Sequence, residues 1–223
     1  MSCRRVAMSL IGVVITAISV AFLKFSALGV DSFQTFMAGA DYLIPISFGT
    51  LYVIVNAVLM IFALVLDRHY IGISTFINLF LLGYIVEFTL HFLTALFPTA
   101  SLLFRGTMFI IGFALLCLGC SLYITADLGV STYDAIALIC ANKWKLCKFK
   151  YMRICTDLIC LLMGTAMFLL SGHSLQELGT FMGIGTVLTA FCMGPLIDFF
   201  HRNVSKPFLG KGEIKQPLIL NEQ

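Results

Sequence analysis

Charge is scarce in this sequence. Lysine, arginine, aspartate and glutamate together make up 11% of 223 residues, against about 25% in an ordinary soluble domain. That deficit excludes a soluble globular fold, which could not clothe its surface. Catalytic patterns are missing too. There is no nucleotide-binding loop, so ATP-driven transport by this chain alone is excluded. No Ser/His, diacid or HExxH-type constellation stands at working spacing, so the chain is not read as an enzyme. Cys117-x-x-Cys120 has no second pair at zinc spacing, so neither a metal site nor a cofactor is expected.

Apolar residues fill the space that charge vacates, at 60% of the chain with a mean hydropathy of +1.02. A membrane span needs about 20 predominantly apolar residues. Six stretches qualify: Val6–Leu23, Ile44–Leu66, Ile71–Phe92, Gly106–Ile124, Tyr151–Leu170 and Leu178–Phe200. They leave no room for a second domain. One membrane domain is expected over 1–201, followed by a short, mobile, polar cytoplasmic tail over 202–223. Arg4 and Arg5 before the first span resemble a signal peptide. Its 18 uncharged residues, however, exceed a usual signal core of about 7–15, and no small-residue cleavage site follows. A retained helix is expected.

Lysine and arginine set the orientation. With the N-terminus in the cytoplasm, twelve of them fall on the inner side, and Lys24 and Arg105 alone on the outer. Both termini are therefore expected inside, in the plasma (inner) membrane. The +3 formal charge becomes a topology signal, not one for nucleic acid. All eight cysteines fall within spans or toward the inner side, as reduced thiols acting as small apolar residues.

The sequence also repeats itself. Leu28-Gly29-Val30-Asp31-Ser32-Phe33-Gln34 matches Leu128-Gly129-Val130-Ser131-Thr132-Tyr133-Asp134 at an offset of 100. Gly72–Phe88 matches Gly183–Phe199 at an offset of 111, with Glu87 opposite Asp198. Between them Asn56 falls opposite Asp157, and Tyr52 opposite Arg153. Repeat one covers 5–97 and repeat two 104–201, with three spans each. An odd number inserts the second copy upside down, a recurring transporter design. The expected fold is an all-α integral membrane bundle: six transmembrane helices as a 3+3 inverted-topology repeat, with a short interfacial or re-entrant helix after the first span of each repeat.

Those short helices are expected over 31–40 and 131–142. Gly29 and Gly129 make the turns, and Asp31, Ser32, Ser131 or Thr132 act as N-cap, with Asp134 in the first turn. Their amide ends offer a site for an anion or carboxylate; the alternative is a plain connector along the membrane surface. Charges inside a bilayer cost roughly 2.5 kcal/mol or more and call for a partner or a purpose. Arg153 and Asp157 stand at i, i+4 and either neutralise each other or, with Asn56, form the polar floor of a substrate cavity. Glu87 and Asp198, near span ends with His91 and Arg202 at i+4, are expected to cap the short helix of their own repeat. Gly72, Gly83, Gly183, Gly185 and Gly194, with Thr75 and Thr186, suggest that spans three and six cross at the centre, and Pro195 loosens the end of span six.

The doubled LG-x-[ST]-x-x-D element, the Arg153-x-x-x-Asp157 of span five and the GIGT…MGPLIDFF of span six resemble the bacterial YitT/YczE-like multipass membrane proteins. Tyr52 and Asn56 depart from that pattern. The resemblance implies a bacterial plasma-membrane protein and supplies no substrate. The sequence thus points to a small secondary transporter or exporter of an unidentified small solute. The alternative is a non-transporting accessory protein that docks an enzyme or partner at its cytoplasmic face through the basic loop 141–150 and the tail. Its expected partners are the lipid bilayer and a small solute, with no nucleic acid; a homo-oligomer is open, since no face identifies itself.

Overall fold

The computed structural model describes residues 3–46, 48–174 and 182–209. Among these, every element is helical. In chain order they are α1 (Cys3–Ser26), α2 (Ser32–Leu43), α3 (Phe48–Leu66), a short turn Arg68–Tyr70, α4 (Ile73–Leu96), α5 (Leu102–Ala126), α6 (Thr132–Leu138), α7 (Phe149–Leu170), α8 (Ile184–Phe200) and α9 (Lys206–Leu209). Wider π turns extend α6 over Ile139–Lys143 and join α8 to α9 over His201–Ser205. Five helical stretches are long and apolar enough to cross a membrane: α1, α4, α5, α7 and the run Ile184–Leu209.

The second expected span, Ile44–Leu66, differs. Pro45 lacks an N–H and disfavours helical geometry at the residue before it; Ile44 is accordingly extended, at φ −108° and ψ 117°. The apolar run therefore splits into the end of α2 and a shorter α3. Residues 178–181, expected to begin the last span, and 175–177 of the loop before it lie outside the described residues.

The tail also differs. Residues 202–209 are helical, and Leu209 is buried beside Met8, Leu122 and Ala126. Ser205 and Ser121 hydroxyls meet at 2.6 Å, and the Arg4 guanidinium lies over the Phe208 ring at 5.4 Å. Two apolar side chains anchor what the surrounding charge suggested was mobile. Residues 210–223 of the expected tail lie outside the described residues.

At the centre α1 crosses α5, not α4 crossing α8. A Cβ on Gly12 would stand 2.9 Å from the Gly119 carbonyl oxygen, and one on Gly112 would stand 3.2 Å from that of Ser19. Small residues here let the two backbones touch, the usual device where lipid supplies no hydrophobic drive between helices. Of the glycines expected at the crossing of spans three and six, Gly83 faces open space, while Gly72 and Gly183 lie against the Leu128 and Leu28 carbonyls. Around the central pair, α2 packs on α7, with Gly39 against Gly164, and α3 packs on α6. Outward, α4 shows a ridge of five aromatic rings spaced four residues apart, Phe76, Phe80, Tyr84, Phe88 and Phe92, all exposed, as a lipid-facing helix would.

Both Leu-Gly-Val segments make the same reversal. Ala27 and Asp127 end α1 and α5 in the left-handed region (φ 49° and 57°), and Gly29 and Gly129 follow at φ 143° and 100°. Each segment is then gripped by a helix from the other half of the chain. The Gly185 N–H donates to the Leu28 carbonyl at 2.9 Å, and the Ser74 N–H donates to the Leu128 carbonyl at 3.0 Å. The Val30 N–H donates to the Thr186 hydroxyl at 3.1 Å, while the Thr75 hydroxyl donates to the Val130 carbonyl at 2.7 Å.

Candidate functional site

The two short helices meet end to end. Phe33 and Tyr133, each the second residue of its helix, stack with ring centroids 5.1 Å apart. Side chains at the turns start both helices: the Asp31 carboxylate accepts from the Gln34 N–H at 3.1 Å, and the Ser131 hydroxyl accepts from the Asp134 N–H at 3.0 Å. Ser32 and Thr132 are the first helical residues instead of caps; Thr132 donates to the Asn56 side-chain oxygen at 2.7 Å. Asn56 in turn donates to the Tyr52 carbonyl one turn back, at 2.8 Å.

Arg153 occupies the space beside this junction. Its exposure is 3%, and those of Asp134 and Asp157 are 2% and 1%, so three ionisable groups lie inside an apolar bundle. Such burial is tolerable only when charges are paired and their remaining hydrogen-bonding capacity is met. The guanidinium donates to one Asp134 oxygen through Nη1, and Nε lies 3.3 Å from Asp157. Its plane also sits 4.4 Å from the Tyr133 ring centroid, a cation–π contact. The other Asp134 oxygen accepts from the Tyr123 hydroxyl and, at 2.6 Å, from the Ser131 hydroxyl. Asp157 accepts from the Tyr133 hydroxyl at 2.7 Å. Arg153 thereby ties α6 to α7.

A cavity opens on one side of this network, walled by Asp31, Gln34, Tyr52, Asn56, Asn78, Asp134 and Arg153 among others. Space for water-sized molecules within it is about 80 Å³. Val20, Gln34, Tyr52, Leu79 and Leu82 also wall a larger groove of about 590 Å³, which runs toward Lys24 and Glu87. These five side chains form a common wall between the two spaces.

Of the residues expected to floor a cavity, Asn56 and Arg153 face it together. Asp157 does not: it stands behind Arg153 and Tyr133, because the i, i+4 spacing carries it farther along α7. Asp134, expected only as a first-turn residue, is the carboxylate that reaches both cavity and arginine. Glu87 is exposed in the outer groove, His91 is exposed on α4, and Asp198 accepts from Arg202 at 3.2 Å. The caps of the short helices are Asp31 and Ser131, so no acid from α4 or α8 serves there. Sequence reasoning missed Gln34, Asn78, Tyr123 and Tyr133. The available signal was the aligned pair Phe33-Gln34 and Tyr133-Asp134, which places an amide in one copy against an acid in the other. Among the described residues, no group of three or more His, Cys, Asp or Glu side chains could hold a metal ion, and all eight cysteines are free.

A helical, membrane-type protein with a charged interior centre is the class these features define. The chain belongs to the family of unknown function DUF6198, whose match runs over residues 3–202. It is also similar to the uncharacterised protein YyaS of Bacillus subtilis (strain 168), 24% identical over 201 residues, which cover 90% of this chain and 94% of that one. Neither comparison names the YitT/YczE-like proteins that the short motifs resemble. No solved structure matches the chain.

Proposed function

We propose that the protein is a small secondary transporter or exporter of a small solute, built as a 3+3 inverted repeat with six passes and both termini in the cytoplasm. One observation carries the reading: a charged, water-sized cavity inside an otherwise apolar bundle, continuous in its walls with a groove that leads out. A purely structural ion pair needs no cavity beside it. The reciprocal grips support the duplication: Ser74 and Gly185, partners at the offset of 111, donate to the same carbonyl of segments 100 residues apart, and Thr75 and Thr186, at the same offset, bind the equivalent residues Val130 and Val30, one at its carbonyl and the other at its N–H. In this reading α3 makes the remaining pass, α2 and α6 are re-entrant helices, and no residue is catalytic. The test is solute counterflow in liposomes holding the purified full-length chain, screened across small cations, anions and neutral solutes. Counterflow of one class is expected. Its absence for every class, with correctly folded protein, refutes transport and leaves the accessory role.

A further inference from the structure

We infer that the solute of this cavity is a monovalent cation of small size, such as a protonated or quaternary amine, bound against Asp31; this rests on the transport reading above. The charge balance comes first. With all groups ionised, Asp31, Asp134 and Asp157 would bring three negative charges and Arg153 one positive charge to the centre. The N-terminal ends of α2 and α6 each add about half a positive charge. Roughly one negative charge is left over. It falls on Asp31, because Arg153 contacts Asp134 and Asp157 directly, whereas Asp31 accepts from an amide at the start of α2 and meets Arg153 and Lys24 only through space. The nearest free cation, Lys24, is exposed in the outer groove and not in the cavity.

A second observation points to a ligand independently. Asn78 lines the cavity, is 9% exposed and makes no side-chain hydrogen bond with the described residues. Its amide therefore offers unused donors and an acceptor to whatever occupies the cavity it lines. Its carbonyl oxygen can accept from an ammonium, and Tyr52 and Phe33, whose rings meet edge to face at 6.3 Å, offer π faces on the same wall. An anion would meet the Asp31 carboxylate on the wall, with Arg153 already paired to Asp134. A neutral solute would leave the surplus charge buried.

The experiment uses the purified full-length chain in lipid nanodiscs, with ethylammonium and tetramethylammonium as probes and propionate and propanol as controls of similar size. Calorimetric titration should give saturable binding of at least one cation and none of either control. Asp31→Asn keeps a good helix cap and should retain its melting temperature while weakening cation binding at least tenfold. Asn78→Leu, which removes the amide and keeps an apolar wall, should weaken it several-fold. Binding of propionate, binding of neither cation, or binding unchanged in a folded Asp31→Asn overturns the inference. Cation binding without counterflow in liposomes refutes transport and keeps the site; counterflow of an anion without cation binding does the reverse.

Discussion

Arg153→Met is the most informative perturbation of the interior. Methionine fills the aliphatic volume but removes the only guanidinium from a place where two carboxylates, Asp134 and Asp157, converge on it. Removing one partner from a buried ion pair costs about 3–5 kcal/mol, because the other charge stays buried and unpaired. Loss of the contact with Tyr133 adds about 1 kcal/mol. For a chain of this size 1 kcal/mol corresponds to about 2–4 °C in melting temperature, so a fall of about 8–24 °C is expected. Neutralising the acids separately divides the effect. Asp157→Asn leaves Arg153 on Asp134 and an oxygen for the Tyr133 hydroxyl, and should cost about 1 kcal/mol. Asp134→Asn loses the charge that Arg153 and the Tyr123 and Ser131 hydroxyls all converge on, and should cost about 3 kcal/mol. The double variant Arg153→Met/Asp157→Leu should recover only part of the loss, since Asp134 remains. Scanning fluorimetry in detergent at neutral pH reads all four. A melting temperature for Arg153→Met within 3 °C of wild type, or full recovery in the double variant, would refute the assignment of Asp134 as the principal partner.

Topology is checked in a cysteine-free background: single cysteines at Ser101 and His173 should react with an impermeant thiol reagent in intact cells, and one at Lys145 should not. The paired grips predict paired losses: Thr75→Val and Thr186→Val should each lower stability by about 1–2 kcal/mol, and unequal losses, one near zero, would argue against equivalent roles. Gly29→Ala forces a Cβ onto a φ of 143° and into the Thr186 backbone N–H, so expression of folded protein should fall sharply; a normal yield in size-exclusion chromatography contradicts the close approach. The Asp127 carboxylate lies 2.9 Å from His69 Nε2 and 3.5 Å from Arg5. Asp127→Asn, which tolerates the left-handed backbone, should cost about 1 kcal/mol or less in thermal melts, and Asp127→Val distinctly more.

The apolar runs alone determined that the chain is helical and membrane-type, since their length and lack of charge admit little else. The doubled Leu-Gly-Val segment also announced its own local structure. Glycine at 29 and 129 and a polar cap two residues on suffice to end one helix, turn the chain and begin another. Pro45 was a legible break that the hydropathy of its neighbours concealed. Tertiary structure alone decided which helices cross at the centre, because Gly12 and Gly119 are ordinary small residues until another backbone arrives at their surface. It alone brought Asp134 to Arg153, 19 residues away and across a loop, and left Asp157, the nearer partner by spacing, on the far side of the guanidinium. Helical periodicity fixes which residues of one segment share a face. Which of several acids a buried arginine meets depends on how two segments pack, and no spacing within either one encodes that.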